Sequence, residues 1–126
     1  MANPNIVAVA TIKGITKTQA STATITDLTA YPADGKVFKI NSLIASNIHA
    51  SVAKDVSVAL YTNHGSAPTT HYIAKSVTIP AKASLIIVDK SSSFYLIDNS
   101  GGLGQKLRVL ATDTDVNFTV SYEEIS

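Results

Sequence analysis

Lys106-Leu107-Arg108-Val109-Leu110-Ala111 and, four residues later, Val116-Asn117-Phe118-Thr119-Val120-Ser121-Tyr122-Glu123-Glu124-Ile125 form the stretch on which the fold turns. Leu107, Val109 and Ala111 alternate with Lys106, Arg108 and Thr112, and Val116, Phe118, Val120 and Tyr122 alternate with Asn117, Thr119, Ser121 and Glu123. Period-two alternation of this kind marks strands that bury one face. Between them Thr112 to Asp115 is polar, and the carboxylates of Asp113 and Asp115 suit a turn because they accept local backbone N–H groups. The expectation is a β-hairpin with Val109 opposite Phe118 and Leu107 opposite Val120. A slip of one residue would turn one apolar set to water. The stretch decides a fold class and carries no chemistry.

Upstream, the same patterns recur at short intervals. Asn3-Pro4-Asn5 reads as an extended arm over residues 1–5, since proline disfavours helix at the residue before it. Ile6 to Ile15 reads as a first strand with a possible bulge at Gly14, and Ala20 to Thr29 as a second. Tyr31-Pro32-Ala33-Asp34-Gly35 is a turn leading into a strand at Val37 to Ile40. From Ser42 to Val52 the apolar residues fit a helix or a strand; β-branched content, with Asn41 and Asn47 as poor helix residues, favours the strand. Val56 to Leu60 alternates cleanly. His71 to Ile79 is read with Ile73, Val77 and Ile79 on one face, ended by Pro80. Leu85 to Val88 is a continuous apolar run, as in a strand buried on both faces, and Phe94 to Ile97 is another. The sum is an all-β chain: one antiparallel β-sandwich domain over residues 1–126, jelly-roll or Ig-like, of about eight or nine strands.

Composition narrows the function classes. The chain has 126 residues, 10 Lys and Arg against 9 Asp and Glu, and no Cys. A net charge of +1 gives no basic stripe for neutralising phosphates, so no nucleic-acid partner is expected. Without Cys there is no disulfide, thiolate metal site or cysteine nucleophile. The apolar run from Ile6 to Ile12 is too short to span a bilayer, so no membrane partner is expected and the chain is read as made in the cytoplasm.

Chemical constellations are weak throughout. His49, His64 and His71 match no recurrent ligand spacing, and the latter two would need a third ligand. No Ser lies in a G-x-S-x-G elbow. Glu123 and Glu124 point to opposite faces of a strand, and Gly101-Gly102-Leu103-Gly104 lacks the Lys-Ser/Thr and the helix of a phosphate loop. Asn117-Phe118-Thr119 is read as a chance sequon, and Tyr31, Tyr61, Tyr72, Tyr95 and Tyr122 as scattered rather than as a sugar-stacking platform. No catalytic, cofactor-binding or metal residue is expected. Lys13, Lys17, Lys54 and Lys75 are candidate guards of exposed strand edges.

The opening Asn3 to Val9, the stretches Lys36 to Asn41 and Tyr72 to Ala81, and the close Ser121 to Ile125 together resemble small virion structural proteins of tailed bacteriophages, of the marine and cyanobacterial phage type. That resemblance implies a non-enzymatic β-sandwich repeated on a particle, with copies of itself and a major capsid protein or another virion protein as partners. Within that class the expected role is a capsid decoration (cement) protein on the head. The alternatives are a tail, neck or fibre component, or a glycan-binding module.

Overall fold

A computed structural model describes residues 11–63, 65 and 67–126. Among them lie nine strands: β1 (Ile12–Ala20), β2 (Thr26–Asp27), β3 (Val37–Asn47), β4 (Lys54–Thr62), β5 (Thr69–Ile79), β6 (Ser84–Val88), β7 (Phe94–Ile97), β8 (Gln105–Ala111) and β9 (Val116–Ile125), with a 3₁₀ turn at Lys90–Ser92. They form two antiparallel sheets. One runs β1-β9-β3, with β6 and β7 end to end along the far side of β3; the other runs β2-β8-β4-β5. The pairing is nested: β4 with β5, β3 with β6 and β7, β2 with β8, β1 with β9. Nested antiparallel pairs wrapped into two facing sheets are a jelly roll.

The expected hairpin of Lys106 to Ile125 is the main correction. β8 belongs to one sheet and β9 to the other, so Val109 lies opposite Thr26 and Val58, while Phe118 lies opposite Gln19 and Ala45. Both apolar sets do point inward, but they meet across the core instead of side by side. Alternation reports which face of a strand is buried; it is blind to whether the next strand completes that face within the sheet or from above it. Residues 112–115 carry the chain across. Phe118, Val120, Leu107 and Val109 are fully buried there together with Ile40, Leu43, Val58 and Leu96. Each such side chain contributes roughly 1.5–3 kcal/mol on leaving water.

Other expectations divide. The run from Ser42 is strand through Asn47, and residues 48–53 are loop. The strand expected over residues 20–29 shrinks to Thr26–Asp27, because the preceding backbone turns on itself: Thr22 Oγ1 donates to Thr24 O at 2.6 Å. Gly14 sits in regular register opposite Glu123, with no bulge. Bulges fall instead at Asn41 in β3 and in the β4–β5 ladder, where Ser76 has φ 52° and donates its N–H to Ser57 Oγ at 2.9 Å. Those shifts break the period of β5, so Val77 packs on the core and Ile79 is buried while Ile73 stands exposed at the edge. β6 is not buried on both faces: Val88 is inside, but Ile86 is 64% exposed. Residues 1–10, including the arm and the start of the expected first strand, lie outside the described residues, as does His64.

Two glycines have conformational reasons. Gly35 takes φ +79°, and its N–H donates to the buried carboxylate of Asp98 at 2.6 Å. Asp98 Oδ1 also accepts from Ser100 Oγ at 2.9 Å, so one side chain ties two loops at this end of the sandwich. At Gly104 a Cβ would come within 2.6 Å of Asn99 Cβ; the N–H of Gly104 donates to Asn99 Oδ1 at 3.0 Å.

Candidate assembly surfaces

The sequence nominated no catalytic or metal-binding residue, and the structure is best read as a set of surfaces. Among the described residues no three His, Cys, Asp or Glu side chains come together as a metal would require. His71 lies on β5 opposite Leu60. His49 sits in the β3–β4 loop, where its Nδ1 accepts from the N–H groups of Ser51 and Val52 at 3.1 and 3.0 Å. Glu123 pairs in register with Lys39, and Glu124 meets Lys36 Nζ at 3.3 Å, so the two carboxylates do separate. The glycine-rich loop is followed by strand β8. Among the described residues no helix is long and apolar enough to cross a membrane.

The crossing between sheets is fastened by polar groups. Lys54, at the start of β4, is buried and its ammonium binds Asp113, with Asp115 Oδ2 at 3.6 Å. The hydrogen bond from Lys54 is the main reason the Asp113 carboxyl titrates below the usual range, helped by the N–H of Asp115; the same bond pushes Lys54 upward. Ser21 Oγ donates to Asp113 O and accepts from Val116 N at 3.2 Å, and Thr112 N donates to Asp55 O at 3.0 Å. Lys54 is therefore an internal fastener, not an edge guard. Lys13 and Lys17 on β1 and Lys75 on β5 do lie on edge strands, where a charge discourages pairing with a stray strand.

The outer face of the β2-β8-β4-β5 sheet gathers residues that looked scattered in the sequence. Asp27 accepts from Lys106 Nζ and Arg108 Nε, each at 2.9 Å. Partial burial raises its pKa, but those two bonds and charges outweigh it and the net shift is downward. Lys106 Nζ lies 4.7 Å from the Tyr31 ring centre and 5.4 Å from that of Tyr61, and the Arg108 guanidinium lies 4.2 Å from Tyr61. Tyr31 and Tyr61 are thus brought together by the Tyr61–Lys106 rung of the ladder, a pairing between segments far apart in the sequence. Both rings therefore already take part in cation–π contacts within the chain.

Apolar exposure is concentrated elsewhere. A cleft of about 260 Å³ opens where β4 and β5 of one sheet part from β6 and β7 of the other, lined by Leu60, Ile73, Ile87, Val88, Phe94 and Tyr95 with Ser92. The β3–β4 loop exposes Ile48 at 57% and Val52 at 47%. Sequence reasoning missed both. The cleft's walls come from four separate strands, whereas the loop signal was present in the unusually apolar Ile48-His49-Ala50-Ser51-Val52-Ala53.

No protein-family model matches the chain, and no curated protein matches it. Solved structures do. A chain from the crystal structure of the T13 particle of IBDV, infectious bursal disease virus, superposes with a TM-score of 0.54 at 12% identity, covering 91% of this chain. In fold, this chain is similar to part of a viral particle. It spans 30% of the length of that viral chain. A second structure, of the Gt strain of infectious bursal disease virus, matches with a TM-score of 0.45 at 11% identity over 92% of this chain and 31% of its own.

Proposed function

We infer that this protein is a virion structural component without catalytic activity, and that it decorates and cements the head of a tailed phage. The observation that carries the reading is the nested jelly roll, shared in fold with a chain of a viral particle. Its exposed apolar loop and cleft give that module surfaces to bury in an assembly. The resemblance of its terminal and central stretches to tailed-phage virion proteins supports a place in the virion over an unrelated role.

Attachment is assigned in part to the N-terminal segment. Thr11 and Ile12 pair with Ser126 and Ile125 of the same chain, so the part left to a neighbour is residues 1–10, which the sequence reads as led by an arm at Pro4 and which are proposed to add to a neighbour's sheet through main-chain hydrogen bonds. Deleting Met1 to Asn5 is expected to leave the sandwich folded, weaken binding to shells and lower the temperature at which decorated shells rupture, because a ligand of the assembled state has been weakened. Shells that bind the truncated and full-length proteins equally would overturn the arm mechanism. Finding the protein only on tails would overturn the decoration role.

A further inference from the structure

Loops at the surface are usually the mobile parts of a domain, but the β3–β4 loop, residues 48–53, is tied down by two side chains. Asn47 is buried at its base: Nδ2 donates to Val52 O at 3.0 Å and to Ile79 O at 2.9 Å, and Oδ1 accepts from His49 N at 2.9 Å. The half-buried His49 closes the tip, its Nδ1 accepting from the N–H groups of both Ser51 and Val52. The two fasteners differ in kind. An amide neither gains nor loses a proton in the working range of a protein, whereas an imidazole nitrogen accepts a hydrogen bond only while it is bare.

With two N–H groups aimed at it, Nδ1 of His49 must carry its lone pair, so the proton of the neutral ring sits on Nε2. A second proton can go only to Nδ1. Three N–H groups would then converge where two acceptor bonds stood, and the ring has to leave that position. Charge offers it another. The charged groups on the elements packed against the loop are Asp113 and Asp115 on the crossing, Lys54 and Asp55 at the start of β4, and Lys82 in the turn after β5. A charge on His49 acts on the Asp113 carboxylate, whose Oδ1 accepts from Asp115 N at 2.9 Å and whose Oδ2 binds Lys54. A carboxylate has about four lone-pair positions, so Asp113 keeps capacity for a further donor.

We propose that His49 makes the tip of the β3–β4 loop a proton-sensitive latch: neutral, the ring locks the tip through the Ser51 and Val52 N–H groups; protonated, it releases them and turns toward Asp113. The base of the loop stays in place, because Asn47 does not titrate and the N–H groups of Asn47 and Ile48 donate to Ala83 O and Asp115 O, each at 2.9 Å. The change is therefore confined to the tip. Its sign follows from linkage. The latched tip takes up a proton less readily than the released one, so the latch is closed at the alkaline end of the imidazole range and opens as the pH falls through it. Ile48 and Val52 are exposed on this loop, so release reshapes an apolar projection and leaves the core untouched. The latch belongs to the isolated chain and does not depend on the assembly reading above.

The test is nuclear magnetic resonance on the full chain between about pH 8 and pH 5, the interval in which an imidazole changes charge. At the upper end the nitrogen spectrum of the His49 ring is expected to show Nε2 protonated and Nδ1 bare. As the pH falls, the Ser51 and Val52 amide protons are expected to lose their hydrogen-bonded shifts with the same midpoint as the ring. Their exchange with solvent, corrected for its intrinsic dependence on pH, should quicken by at least about tenfold, while the amides of the buried Val58 and Val109 stay protected. His49→Asn supplies an oxygen that accepts from the same N–H groups and does not titrate, so its tip is expected to stay closed at both ends of the range; His49→Ala is expected to be open throughout. Both variants keep Asp113, Asp115, Lys54, Asp55 and Lys82, and circular dichroism checks that both fold. A response of the Ser51 and Val52 amides that persists in His49→Asn assigns it to those other groups and overturns the latch. So does a neutral ring with its proton on Nδ1, and so do wild-type amides that ignore the titration of the ring.

Discussion

The crossing at residues 112–115 and the cleft beside β5 are both places where the two sheets meet, and they are built in opposite ways. At the crossing every group finds its partner inside the chain: Lys54 with Asp113 and Asp115, Ser21 with Asp113 and Val116, Thr112 with Asp55, all laid over the buried Val116 and Phe118. At the cleft the sheets part, Ile73 and Tyr95 face solvent, and among the described residues no side chain fills the gap. The first region is finished by folding. The second has apolar surface left over, and the difference separates residues that hold the sandwich together from residues available to a neighbour.

The contrast is broken most directly by truncating one large side chain on each side. Phe118→Ala is expected to cost about 3–5 kcal/mol in urea unfolding, the range for deleting a buried aromatic. Tyr95→Ala, at the cleft rim, is expected to stay within about 0.5 kcal/mol, as surface changes do. Comparable losses at both positions would mean that the cleft is part of the folding core.

Gly104→Ala is the next largest. Its new methyl meets Asn99 Cβ at 2.6 Å, and relieving that contact disturbs the loop that precedes β8. A loss of about 1–3 kcal/mol is expected from forced overpacking; an unchanged midpoint would show that the loop gives way freely.

How much of this was open to sequence reasoning follows from the same contrast. Strand identity at β4, β8 and β9 was readable because one face of each is buried by its own fold, so alternation survives in the letters. The strand partners of β8 and β9 were not, since inward-facing residues satisfy the core equally from beside or from across, and the contacts that fasten the crossing come from Lys54 and Ser21, far away in sequence. β5 misled for a related reason. Its bulges shift the period between Ile73 and Val77, and a residue count cannot show an inserted residue. The Tyr31, Tyr61, Lys106 and Arg108 cluster and the cleft are assembled from distant segments, and no local pattern encodes them.

The fastening of the crossing also predicts a pH profile. Asp113, Asp27 and Asp89 have folded-state values below that of an unfolded aspartate, about 3.9. Their stabilisation is therefore complete above about pH 4 and lost as the pH falls through the depressed values. Lys54 is raised, so its share is present below about pH 10.4 and lost as the pH rises through its folded value. The melting temperature should form a plateau between these limits. In Lys54→Met the alkaline limb contributed by this residue should vanish and the acid limb should shrink, with Asp27 and Asp89 sustaining what remains. Identical profiles for the two proteins would remove Lys54 from the fastening.

The smallest stability change is expected at Ile86, the most exposed large apolar side chain among the described residues. Ile86→Ser should leave the melting temperature of the isolated chain within the range for surface changes, about 0.5 kcal/mol. A clear destabilisation would place Ile86 in a packed environment and weaken the division between folded core and free surface.

Imaging by electron microscopy of purified virus particles, with the chain located in them, tests its proposed assignment to a phage virion most directly. The expected result is repeated density on the outer head shell into which the β1-β9-β3 and β2-β8-β4-β5 sheets fit, with the chain present in many copies per particle by mass spectrometry. Particles that lack the chain altogether would contradict a structural role in the virion.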